Sequence, residues 1–111
     1  MTLKQLAGML KETKIPFAYD HFAEGESPQP PFICYLLPGS VNFAADGEVY
    51  LQINKVNVEL YTDAKDVSVE KRLEDALKSK GIFYNKSEVW IPEEKLYEVL
   101  YSFEAPESDE D

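Results

Sequence analysis

The chain has 111 residues, room for one domain, and 44% of them are hydrophobic, so a packed globule is expected rather than a disordered chain. Against 11 basic side chains stand 21 acidic ones, a formal net charge of -10, and Arg72 is the lone arginine. Such a surface repels phosphates, which argues against a nucleic-acid-binding domain, and one cysteine (Cys34) with one histidine (His21) cannot build an internal disulfide or a structural zinc site.

Leu3, Leu6, Ala7 and Leu10 fall on one stripe of a short helix with Thr2 as its N-cap, and Pro16 closes the pattern. The pattern is amphipathic, unlike a signal peptide, and no apolar run approaches the roughly 20 residues that span a bilayer. A soluble, intracellularly made protein is the expectation. Residues 17–22 read as a short extended piece, followed by a proline-bearing loop over 24–31. The apolar run Phe32 to Leu37, closed by Pro38-Gly39-Ser40, predicts a strand covered on both faces. Residues 41–47 read as a loop with an Asp46-Gly47 turn.

Val49, Leu51 and Ile53 alternate with polar residues, and so do Val56, Val58 and Leu60, but the phase slips by one between the two sets. One long strand with a bulge at Asn54-Lys55 is expected, because Asn-Lys lacks the glycine usual in two-residue hairpins. That strand would outgrow its partner and project beyond the sheet. Asp66 then caps a second helix whose stripe is Val69, Leu73, Ala76 and Leu77, with Lys78 and Lys80 at its C-terminal end and Gly81 as the stop. Residues 82–91 look extended, 92–95 turn, and 96–103 form the last strand, with Tyr97, Val99, Tyr101 and Phe103 on one face. Leu96 and Leu100 interrupt the polarity of the other face, which suggests that both faces are covered. Residues 104–111 are expected to be a disordered acidic tail after a domain over 1–103. The fold class that follows is α+β: one small domain in the order α-β-β-β-α-β-β, counting the bulged strand as two, with a mainly antiparallel sheet and two helices on one face.

Chemistry is sparse. Asp20-His21 invites a catalytic dyad, but neighbours on an extended chain point to opposite sides, and Cys34 lies inside an apolar run where a thiol is normally inert. His21 with Glu24 and Glu26 makes only a weak metal site, one imidazole on a loop. No phosphate-binding glycine loop is present. Tyr97, Tyr101 and Phe103 could stack bases, but the acidic balance favours core packing or a subunit interface. No catalytic, cofactor-binding or metal-ligating residue is assigned. The residues that resist a self-contained globule are apolar. Val41, Phe43 and Tyr50 lie along the projecting segment, and Trp90 and Ile91 precede the Pro92 turn. Interfaces favour such aromatic groups, so these five are the candidate subunit interface.

The stretches Pro-Pro-Phe-Ile-Cys-Tyr-Leu (30–36), Phe-Ala-Ala-Asp-Gly-Glu-Val-Tyr (43–50), Val-Glu-Leu-Tyr-Thr-Asp-Ala-Lys-Asp (58–66) and Tyr-Asn-Lys-Ser-Glu-Val-Trp-Ile (84–91) resemble small proteins of tailed-phage and prophage morphogenesis clusters. The resemblance runs from the first helix to Phe103. The element order is similar to that of tail terminator proteins, also called tail completion or head–tail joining proteins. It implies a non-enzymatic homo-oligomer, commonly a six-membered ring on the tail tube that meets the head connector. The subunit would then be a virion component assembled in the host cytoplasm, without cofactor, membrane or specific nucleic-acid partner. In such a ring the projecting strand and the 41–45 loop would supply one side of the contact and the aromatic end around Trp90 the other, and Glu48 and Glu59 would give an acidic lumen that does not trap passing DNA. The competing reading is an acidic phage-encoded binding module, a host-factor inhibitor or DNA mimic.

Overall fold

The computed structural model describes residues 1–45 and 48–106, with the side chains of 42–51 left out of account. The fold is α+β, in the order α1 (Leu3–Lys11), β1 (Phe17–Tyr19), β2 (Phe32–Ala45), β3 (Glu48–Thr62), α2 (Val67–Ser79), β4 (Asn85–Ile91) and β5 (Leu96–Pro106). The five strands form one sheet, β1-β2-β3-β5-β4, antiparallel except for the parallel β1–β2 pair.

Local chemistry accounts for both helix boundaries that packing needs. Thr2 and Gln5 form a reciprocal capping box, each side chain bonded to the other's backbone N–H, at 3.1 and 2.8 Å. At α2 the Asp66 carboxylate accepts from the Val69 N–H, and the helix ends in a Schellman turn: Gly81 (φ 70°) bonds back to Lys78 and Ile82 to Leu77. Both helices lie on one face of the sheet. Leu6, Met9 and Leu10 of α1 and Leu73 and Leu77 of α2 meet Ile33 and Tyr35 of β2, Val56, Val58 and Leu60 of β3, and Val99, Tyr101 and Phe103 of β5 in one core.

The strand partition differs from the sequence reading. β1 is a strand in its own right, and β3 is one strand rather than two. Its pairing with β5 is unbroken from Ile53 to Thr62, so no bulge sits at Asn54-Lys55. The slip in hydrophobic phase has another cause. Buried Asn54 continues the inward row of Val56, Val58 and Leu60, its Oδ1 accepting from Gln52 at 3.0 Å, while Ile53 faces the other way. The bulge is on β2. Leu36 pairs with Asn57 and Gly39 with Lys55, so β2 carries one extra residue there, and Pro38, which cannot donate to a ladder, fits at such a point. Pro38-Gly39-Ser40 therefore does not end the strand, and 41–45 is strand rather than loop. The Asp46-Gly47 turn lies outside the described residues.

The C-terminal boundary also moves. β5 runs past Phe103: Glu104, Ala105 and Pro106 pair with Lys55, Asn54 and Ile53, Ala105 is buried, and the Met1 amino group bonds the Pro106 carbonyl. The tail expected over 104–111 thus starts no earlier than 107, and 107–111 lie outside the described residues. Beyond the Ile53–Pro106 pair, β2 and β3 pair only with each other among the described residues, so a two-stranded ribbon leaves the body. The molecule measures 50 × 27 × 24 Å.

Candidate assembly surface

Alternation along the paired strands sends Phe32, Cys34 and Leu36 of β2, Glu59 and Tyr61 of β3, Glu98 and Leu100 of β5, and Val89 and Ile91 of β4 to the face away from the helices. Neither α1 nor α2 covers this face. Leu96 and Leu100 are half-buried by their own sheet, not by a second layer. The segment after β1 folds over only its margin, where Phe22 meets Phe32 edge-on at 5.6 Å. Phe32 in turn stacks on Tyr61 at 5.1 Å, because the two are register partners.

At the centre sits a hydrogen-bond imbalance. The Tyr61 hydroxyl is 2.7 Å from Glu98 Oε2 and 3.1 Å from Glu59 Oε1, and it has a single proton to donate. Burial, helped by the charges of Glu98 and Asp20, outweighs the Tyr61 hydrogen bond and holds the Glu59 carboxyl above the usual range. Burial and then the bond to Glu98 push the Tyr61 phenol up strongly. The neighbouring Cys34 thiol is pushed up to about 11, first by burial and then by Glu59 and Asp20, so it stays protonated at neutral pH.

The helix layer carries the opposite sign. Lys4 and Lys11 line the solvent stripe of α1, and Lys71, Arg72 and Lys78 are exposed along α2 with Lys80 just beyond it. The exposed carboxylates there are Glu12 at the α1 C-cap and Asp75, which is tied to Lys71 at 3.2 Å. Arg72 donates to the Thr13 carbonyl at 2.6 Å and links the two helices. A further ionic chain fixes α2 to the sheet. Buried Glu70 accepts from Lys65 and Lys86, both at 2.8 Å, Lys65 also reaches Glu88, and Lys86 also reaches Glu74. Burial works against the charged form of Glu74, but hydrogen bonds from Lys86 and Tyr101 outweigh it and hold its carboxyl below the usual range.

The predicted interface residues lie on separate parts of the molecule, as two sides of a heterologous contact would. Val41 is 40% exposed on the ribbon, while the side chains of Phe43, Glu48 and Tyr50 lie outside the described residues. Trp90 and Ile91, being strand neighbours, point to opposite faces. Trp90 is 45% exposed on the helix side near Tyr97, and Ile91 is half-buried on the open face. Glu59 is on the open face, but Tyr61 and Glu98 were missed there. Tyr61 could have been found by its i, i+2 spacing from Glu59; Glu98 needs the β3–β5 register.

Asp20 and His21 correct the sequence reading. Their side chains do hydrogen-bond, at 2.8 Å, because Asp20 adopts a left-handed backbone (φ 65°) and the chain is not extended there. Both are well exposed, and the buried Cys34 thiol is held protonated. Among the described residues no group of three or more histidine, cysteine or carboxylate side chains is placed to hold a metal ion. Among them, too, no helix is long and apolar enough to cross a membrane. No protein-family model matches the chain, and no curated protein matches it either.

Proposed function

We propose that the protein is a non-enzymatic structural subunit of a phage or prophage tail, a tail terminator or head–tail joining subunit that assembles as a ring on the tail tube. The observation that carries this reading is the β2–β3 ribbon. It runs on past the last described β5 pair as an arm whose strands, among the described residues, pair only with each other. Long two-stranded ribbons are marginal alone and gain stability when another surface packs on them. A sheet left open on one face and an oppositely charged helix layer add surfaces suited to repeated contact. The sequence resemblance to tail morphogenesis proteins supplies the setting, with the tail tube and the head connector as partners.

Electron microscopy of particles made without this gene tests the proposal. Filled heads accumulating beside detached tails of irregular length are expected. Intact infectious virions would overturn it, and heads without any tails would move the protein to another tail-assembly role.

A further inference from the structure

We propose that the open sheet face of one subunit docks on the helix layer of a second copy, head to tail. The stacking rests on the subunit being built to self-associate, as proposed above. Three observations support it. First, Glu59 and Glu98 share the single proton of Tyr61, so among the described residues only one of them can hold it at a time, and neither is ion-paired there. An ammonium brought by a partner would satisfy both. Second, cations of that kind stand on the opposite layer of the same subunit. Lys4, Lys11 and Lys80 have no carboxylate partner among the described residues, although the chain as a whole is strongly acidic. Third, both layers carry exposed apolar groups beside the charges: Val89 at 51% on the sheet face, Leu3 at 46% and Val67 at 67% on the helix layer.

The occupant is a second copy rather than a second sheet face because of charge. Packing two open faces together would bring the Glu59 and Glu98 carboxylates of both copies into one low-dielectric seam, where like charges repel. Covering the face with helices instead completes a helix–sheet–helix sandwich, a stable layer order for a sheet with apolar groups on both sides. Because the two surfaces differ, every docked copy leaves one of each free, and the contact repeats, closing into a ring where the rotation between copies allows it and otherwise running on as a filament.

The test is a charge swap followed by sedimentation equilibrium from micromolar to millimolar concentration. The wild type is expected to self-associate, and E59K/E98K or K4E/K11E alone to weaken association roughly tenfold or more. The chain carrying all four substitutions should recover to within a few-fold of wild type. E59Q/E98Q, which keeps shape and removes charge, should also weaken association, and far-UV circular dichroism confirms that each variant is folded. Association unchanged by both reversals would overturn this docking while leaving the subunit's self-assembly intact. A closed heterodimer formed by E59K/E98K with wild type and independent of Lys4 and Lys11 would replace it with sheet-to-sheet pairing. A wild-type chain monomeric throughout also overturns it, and the gene-deletion phenotype then judges the tail reading separately.

Discussion

Burial of the Glu59 carboxylate beside Glu98, only partly offset by the Tyr61 hydroxyl, costs the subunit stability at neutral pH. The folded state keeps the Glu59 proton to a higher pH than the unfolded chain does, because its folded pKa is raised. Stability from this group is therefore full below the ordinary carboxyl value and is lost as pH rises through the folded one. Glu59→Gln should raise stability at neutral pH by roughly 0.5–1 kcal/mol, since it removes a part-buried charge beside Glu98 while its amide can still donate to the Tyr61 oxygen. Thermal melts at falling pH check this: the gap between variant and wild type should close as the medium becomes acidic. The same substitution is expected to weaken self-association, a gain in stability at the expense of function. Glu70→Gln should act in the opposite direction. It weakens the bonds to Lys65 and Lys86 at a buried site, with an expected loss of about 1–2 kcal/mol, moderated because both lysines are part-exposed. Urea titration measures it. Of these residues, sequence reading reached Glu59 only through its sign. Its partners come from register, which no local pattern encodes.

At the scale of elements, two glycines give predictions of opposite sign. Gly8 is exposed inside α1 with nothing within 4 Å of an added Cβ, so Gly8→Ala should stabilise by about 0.5–1 kcal/mol. Gly81 has equal room but a φ of 70°, so Gly81→Ala should destabilise by about 1 kcal/mol through backbone strain alone. Thermal denaturation of the two variants side by side separates backbone from packing effects. The helices were legible for the same reason: caps, stripe and stop are written within each one, from Thr2 to Lys11 and from Asp66 to Gly81. The strands were less so. The Pro-Gly pair that looks like a turn is compatible with a bulge whose partner strand continues, and an inward asparagine at 54 disguises an unbroken strand as two. The sheet's class and element order could still be read, because each strand's apolar content survives such local substitutions.

For the whole molecule, the decisive property is the uneven distribution of charge between layers rather than the net value. Copies with a net charge of -10 repel at long range, while lysine–carboxylate contacts between layers attract at short range. Salt separates the two effects, since the screening length falls from about 30 Å at 0.01 M to about 10 Å at 0.1 M. Self-association should therefore rise as salt is first added, pass through a maximum, and decline at high ionic strength as the contact pairs are screened in turn. Light scattering across a salt series checks this, and a monotonic response would assign association to net repulsion or to contact pairs alone.

The bond from the Met1 amino group to the Pro106 carbonyl has a consequence for the chain's connectivity. It brings the two ends of the fold together beside Ile53, at the root of the ribbon. Met1 and Pro106 are thus adjacent in space. Joining Pro106 to Met1 through a short glycine linker, with residues 107–111 removed, and reopening the chain in the exposed turn at Glu93-Glu94 should yield a circular permutant that folds to the same sheet. Its circular dichroism spectrum should match that of the parent. In that permutant the base of the arm becomes a covalent loop, and a fluorophore on the linker would report directly on whatever grasps the ribbon.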